Sequence, residues 1–320
     1  MSDERWLITG ALGCIGSWCC RQLVREGHAV TALDLGDDRR RAELIMSEEE
    51  LASIEGVRCD ITDLQALERV LAEHEITHAV HLAAMLVPLV AADPPRGAAV
   101  NVVGTVNVFE AVKRRGLTGL AYASSAAVYD RSDGIRVAED ADGHPVNHYG
   151  VHKQANEGAA RIYWQDDRVA SVGLRPHIVY GPGRDHGMTA GPTLAMAAAV
   201  RGEPYEIPFG GRAQFQYAPD AAQLFIDAAR NAREGARVRN LGGPSEHVAD
   251  VIAAIEAARP QAAGTITFKE DVLLALPEEM EAERPVTTPL RDGVRETVQV
   301  LAQALQQSSR GADPAGSVGS

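Results

Sequence analysis

Two kinds of hydrophobic patterning alternate along the first half of the chain. Continuous apolar runs of strand length stand at 5–10 (RWLITG), 29–35 (AVTALDL), 57–61 (VRCDI), 77–84 (THAVHLAA), 119–125 (GLAYASS) and 169–181 (VASVGLRPHIVYG). A strand covered on both faces reads as such a run rather than as an alternation. Between the runs lie segments with helical spacing. In 63–75 (DLQALERVLAEHE), Leu64, Leu67, Val70 and Leu71 share a face, and Asp63 is placed to favour the helix start. This βαβα rhythm predicts an α/β fold with a doubly wound parallel sheet.

After about residue 182 the rhythm loosens. Pro and Gly cluster in YGPGRDHG, GPTLA, GEPYEIPFGGR and GGPSEH, while helical patterns persist at 192–201, 219–234, 247–259 and 289–306. The division expected is a nucleotide-binding domain over 1–182 and a smaller substrate lobe over 183–306, partly interleaved with the sheet. Residues 307–320 are small, polar and rich in Gly and Pro, and are predicted to be a disordered tail.

Composition narrows the partners. The 320 residues are 45% hydrophobic and 23% charged, with a formal net charge of -13. Such acidity argues against nucleic acid and anionic membrane surfaces. No apolar run reaches transmembrane length, and the first residues lead almost directly into a strand, so a cytoplasmic protein is expected. Cys14, Cys19 and Cys20 fall on or near one predicted helix without histidine neighbours, and Cys59 stands apart. They read as reduced, mostly buried side chains, and no metal site is expected. The charge runs at 37–41 (DDRRR) and 48–50 (EEE) read as solvated surface; the alternative for Arg39–Arg41 is contact with a cofactor phosphate.

ITGALGCIG follows the first strand and opens a helix, with Gly10, Gly13 and Gly16 spaced GxxGxxG. Glycines there allow a tight turn and bring backbone N–H groups close to a pyrophosphate at the positive helix end. Asp34 ends the next strand, where a carboxylate hydrogen-bonds ribose hydroxyls and repels a 2′-phosphate, favouring NAD over NADP. Asp60 ends the third strand and is placed for the adenine.

In YGVHK, Tyr149 and Lys153 are one helical turn apart. A neighbouring ammonium lowers a phenol's pKa, so this tyrosine is suited to exchange a proton with a hydroxyl or carbonyl as a hydride moves. Ser125, at the end of the strand in YASSAAVY, is placed to hold the same oxygen. Ser124 reads as structural or cofactor-facing, and Tyr122 as packing.

The chain resembles the extended short-chain dehydrogenases/reductases of the NAD-dependent epimerase/dehydratase group. The resemblance rests on TGALGCIG, Asp34, CDITD, HLAA, Asn101 in NVVGTVNVFEA, SSAAVY, YGVHK with Glu157, and LRPHIVYGPG, in the family's order over about 5–184. It implies a Rossmann fold, bound NAD and a Ser125–Tyr149–Lys153 triad. Cofactor contacts are implied for Gly10, Gly13, Ile15, Gly16, Asp34, Asp60, Ile61, Leu82, Ala83, Ala84, Asn101, Ser124, Tyr149, Lys153 and Pro176. It also implies a homodimer packed through helices near 95–115 and 147–165. The second lobe matches weakly, mainly through Asp220 after FQYAP and the closing TPLRDGVRETV.

The positions after Ser125 limit the reaction. Sugar dehydratases resembling this chain carry an acidic pair there, and decarboxylases a glutamate; Ala126 and Ala127 move no protons. The first reading is an NAD-dependent oxidoreductase acting on a secondary hydroxyl or carbonyl of a small sugar or sugar-derived substrate. The alternatives are a sugar or nucleotide-sugar 4-epimerase and, from another class, an NAD-sensing regulator without turnover. Nucleotide-sugar members usually have asparagine where Ile178 stands, and often Arg–Asp where Ala213 and Gln214 stand, which points to a substrate that is not nucleotide-linked. Met85, His177, Arg184, His186 and Arg212 are the candidate substrate contacts. Met85–Gly97 is expected to shape the pocket, or else to pack beneath the second lobe.

Overall fold

The computed structural model describes residues 4–311. Strands β1 (Arg5–Thr9), β2 (Ala29–Asp34), β3 (Ile54–Arg58), β4 (His78–His81), β5 (Gly119–Ala123), β7 (Ser171–Arg175) and β11 (Ala236–Asn240) form one parallel sheet. Its order is β11-β7-β5-β4-β1-β2-β3. The chain starts in the middle, winds to one edge through β2 and β3, then returns and winds to the other. The crevice at the reversal, between β1 and β4, is where such sheets take ligands. β1 shows why its run is continuous: Trp6 and Ile8 enter one core, with Trp18, Leu23 and Phe225, while Leu7 enters the opposite one, with Leu67, Phe109 and Tyr122. Helices α1 (Cys14–Arg25) and α10 (Ala218–Arg230) cover the first face. Helices α4 (Leu64–Glu73), α7 (Gly104–Arg115) and α8 (His148–Asp167) cover the other. Asp63 caps α4 as its sequence suggests, accepting from Ala66 N at 3.0 Å.

The run 169–181 is two strands rather than one. Pro176, which has no N–H to offer a ladder, interrupts it. β7 stays in the large sheet, and β8 (Ile178–Tyr180) departs into a three-stranded sheet with β10 (Arg212–Tyr217) and β12 (Ser245–His247). Two small parallel pairs complete the strands: β9 (Tyr205–Ile207) with β13 (Ile266–Phe268), and β6 (Arg136–Val137) with β14 (Glu279–Met280). Helices α9 (Gly191–Arg201), α11 (Val248–Ala258) and α12 (Leu290–Gly311) enclose a second core around Ile178, Tyr180, Phe215 and Ile255. The remaining helices are short: α2 (Arg40–Ile45), α3 (Glu48–Ala52), α5 (Val87–Ala92) and α6 (Pro94–Ala98).

A cut at 182 does not separate the two cores, because α10 and β11 return to the large sheet after the chain has entered the lobe. The strand read at 57–61 lies earlier, at Ile54–Arg58, leaving Asp60 in the loop beyond it. Helix α12 continues through Gly311, into the segment expected to be disordered; the rest of that segment, 312–320, lies outside the described residues. All four cysteines are free, with Cys19, Cys20 and Cys59 buried. Among the described residues no helix is long and apolar enough to cross a membrane.

Candidate active site

A cavity of about 610 Å³ opens at the carboxyl ends of β1, β2, β4 and β5 and runs beneath the second lobe. The glycine loop forms its floor. Gly10 has φ +68°, and a Cβ built there would lie 2.7 Å from Ala83 N. A Cβ on Gly16 would collide with the Gly10 carbonyl. Side chains at either position would push α1 away from the strands and take its N-terminal N–H groups out of the cavity. Gly10, Gly13, Ile15 and Gly16 line this end together with Asp34, Asp60 and Ile61. The Asp34 carboxylate is fixed by two backbone donors, Leu12 N at 3.0 Å and Gly36 N at 3.2 Å.

Further along, Leu82, Ala83 and Ala84 leave β4, Ser124 and Ser125 leave β5, and Pro176 follows β7; all six line the cavity, as do Tyr149 and Lys153 on α8. Tyr149 meets the Ser125 side chain. Burial pushes its phenol above the usual range, against the Ser125 hydrogen bond and the positive charge of Arg184. Lys153 stands over the Tyr149 ring rather than bonding its hydroxyl. Lys153 Nζ lies 5.4 Å from the Tyr149 ring centre and donates to Ala123 O at 2.7 Å. Burial lowers its own pKa to about 8, against the pull of Glu157. Arg184, a residue distant in sequence, adds a positive charge that favours the Tyr149 phenolate.

Behind this cluster lies a buried polar network. Glu157 pairs with Arg175 through two bonds, of 2.7 and 2.6 Å, and accepts from Ser124 Oγ. Arg175 also donates to the Tyr129 hydroxyl, which bonds Asn240 at 3.2 Å. Ser124 therefore has its hydroxyl engaged on the protein side while its residue lines the cavity. Ala126 and Ala127 follow in a 3₁₀ turn held by Ala126 N to Pro176 O at 2.9 Å and Ala127 N to Ser125 Oγ at 3.1 Å. Among the described residues, the carboxylates lining the cavity are Asp34, Asp38, Asp60 and Asp185. None follows Ser125.

Two of the predicted residues stand off the cavity. Asn101 is buried and does not line the cavity. Its amide clamps the Met85 backbone instead, accepting from Met85 N at 2.7 Å and donating to Met85 O at 2.9 Å. A short polar side chain at a helix turn suits a ligand and a neighbouring loop equally, so sequence could not separate these roles. Arg212 is exposed at the start of β10, bonded to Ser245 O, and neither it nor the rest of its strand lines the cavity. Met85, His177, Arg184 and His186 do line the cavity. His177 is held on both sides, its N–H donating to Gln216 Oε1 at 2.8 Å and its Nε2 lying 2.8 Å from Pro277 O. Burial drops its pKa to about 4, so it is neutral at pH 7.

Sequence reasoning missed one wall, Leu274–Leu276, which reaches the cavity from the weakly patterned second lobe. Met85–Leu89 and Arg96 contribute the wall opposite, on the turn into α5 and on α6. Ile178 is fully buried in the second core and lines none of the cavity.

Residues 6–242 match the model of the NAD dependent epimerase/dehydratase family. The chain is 33% identical to a UDP-glucose 4-epimerase of Mycolicibacterium smegmatis over 239 residues, 73% of this chain and 75% of that protein. The chain belongs to the NAD-dependent epimerase/dehydratase family. It is thus an NAD-dependent enzyme, and the glycine cradle, Asp34 and the continuous cavity to Tyr149 suit a dinucleotide. Among solved structures, the NAD complex of a Thermus thermophilus UDP-glucose 4-epimerase superposes with a TM-score of 0.75 at 26% identity, covering 97% of this chain and 100% of that one. The L-threonine dehydrogenase of Clostridium difficile superposes with a TM-score of 0.80 at 20% identity, covering 95% and 99%; that likeness is one of fold.

Proposed function

We propose that this family member catalyses NAD-dependent oxidoreduction at a secondary hydroxyl or carbonyl of a small sugar or sugar-derived substrate. The observation that carries the reading is the meeting of Tyr149 with Ser125 in a cavity where only alanines follow the serine. Ser125 holds the substrate oxygen, and Tyr149 in its phenolate form takes the hydroxyl proton; the O–H electron pair becomes the second carbon–oxygen bond as a hydride leaves the carbon. When bound, NAD supplies the hydride acceptor; Gly10, Gly13, Gly16 and Asp34 hold its adenosine and pyrophosphate half, and Lys153 its nicotinamide ribose. Ala126 and Ala127 offer no acid or base at the positions after Ser125 for elimination of water or CO₂.

A small substrate is favoured by the apolar walls Met85–Leu89 and Leu274–Leu276. Arg184 and His186 supply the polar contacts at that end. A 4-epimerase is the second reading, favoured by the likeness to the Mycolicibacterium enzyme. It needs the same three residues and a ketone that turns over before reduction.

Incubation with NAD and a panel of sugars, uronic acids, polyols and nucleotide sugars separates the two. Net NADH formation is expected for the dehydrogenase, and a stereoisomer without net NADH for the epimerase. Tyr149→Phe is expected to lower turnover about 10²–10⁴-fold while NADH binding persists. Full activity in that variant would remove Tyr149 from the mechanism.

A further inference from the structure

The segment from Gly181 to Gly187 crosses from the second lobe to the nucleotide half of the cavity. It leaves the end of β8 and passes the N-terminal end of α1, where Pro182 O accepts the Trp18 indole N–H at 3.0 Å. A Cβ built on Gly183 would lie 3.6 Å from Arg41 Cβ and 4.0 Å from Cys14 Cα. Asp185 then accepts from Arg41 Nε at 2.7 Å. Arg41 Nη1 reaches back to Leu12 O at 3.2 Å, and Leu12 N donates to the Asp34 carboxylate. One side chain thus joins the loop beneath Asp34 to the crossing segment. On the other side, Arg184 extends toward Tyr149 and donates to Thr189 Oγ1 at 3.0 Å. Gly181, Gly183 and Gly187 have φ of +129°, +87° and +101°, giving the segment three points at which the backbone turns freely.

We infer that the Arg41–Asp185 pair is a latch that retains the dinucleotide. This rests on the reading that the cavity holds NAD between Asp34 and Tyr149. Arg41, Gly183 and Asp185 line the same cavity as Asp34 and Tyr149, so on this reading the pair spans the way out of the cofactor site. The neighbouring Arg40–Asp38 pair is a contrast: it joins residues two apart and bridges nothing. An exposed ion pair contributes little to folding, but one that spans an exit acts on the dissociation rate. In a dehydrogenase the latch slows NADH release; in an epimerase it keeps the reduced cofactor for the second half of the cycle.

The test is NADH release from the full-length protein, followed by loss of NADH fluorescence on mixing with excess NAD. Arg41→Met and Asp185→Asn are each expected to release NADH about two- to fivefold faster. The exchanged pair, Arg41→Asp with Asp185→Arg, is expected to recover part of the slow rate. Raising salt from about 0.05 to about 0.5 M is expected to accelerate wild-type release and leave both single variants nearly unchanged. Wild-type rates in both single variants would overturn the latch. So would acceleration in Arg41→Met alone, which would place Arg41 directly on the dinucleotide. A wild-type protein that binds no NADH would overturn the cofactor assignment itself.

Discussion

Lys153 shows how far a motif's chemistry depends on what surrounds it. The YxxxK spacing puts lysine and tyrosine on one helix face, and from that spacing alone the ammonium should ease deprotonation of the phenol. Burial acts against both groups, raising Tyr149 and lowering Lys153 to about 8. The lysine shift has a consequence for stability. Between pH 8 and the ordinary lysine value of 10.5, the unfolded chain binds a proton that the folded protein has released, so folding gains stability as pH rises through this window. Below pH 8 the cost of the buried charge is fully present. The melting temperature of the free wild-type protein, relative to Lys153→Met, is therefore expected to improve from pH 7 to pH 10 in differential scanning fluorimetry. A constant difference across that range would show that the folded protein does not depress this lysine.

At the scale of elements, α8 and β7 place the hydroxyls through the Glu157–Arg175 pair rather than through the triad alone. Both side chains are about nine-tenths buried, and their bonds reach Ser124 just past β5 and Tyr129 beyond it. Removing one charge leaves the other buried without a partner, which costs more than the pair contributes. Glu157→Gln is expected to lower unfolding stability by about 3 kcal/mol in urea titration. Adding Arg175→Met is expected to recover part of the loss. Additive losses in the double variant would mean that the two residues act independently. The sequence placed Glu157 on the helix of the motif, one turn past Lys153, but gave no sign of its partner. Arg175 comes from the strand that Pro176 ends, and its pairing with Glu157 has no local pattern.

At the scale of the whole molecule, helix α8 and the turn leading into α7 carry apolar residues that the single chain does not cover. Val103, just before α7, is 51% exposed, and Val151 and Ile162 on α8 are each 48% exposed. Val151 and Ile162 lie three helical turns apart and share a face. We propose that this surface joins two copies of the chain into a homodimer. Light scattering after gel filtration is expected to give twice the chain mass for the wild type, and the chain mass for Val151→Glu with Ile162→Glu. A wild-type monomer at micromolar concentration would refute the assembly.

The patterning by itself determined the parallel sheet, the glycine loop, Asp34 and the Ser125–Tyr149–Lys153 spacing, because each depends on local periodicity or on one conformationally demanding turn. The tertiary structure decided what those signals leave open. It turned Asn101 from the cofactor to the Met85 backbone, put Arg212 away from the cavity, and brought in the Leu274–Leu276 wall. It also brought the charge of Arg184 to Tyr149 and joined Arg41 to Asp185. These are meetings between segments far apart in the chain, set by how two cores pack across one cavity, and no window of sequence contains both sides.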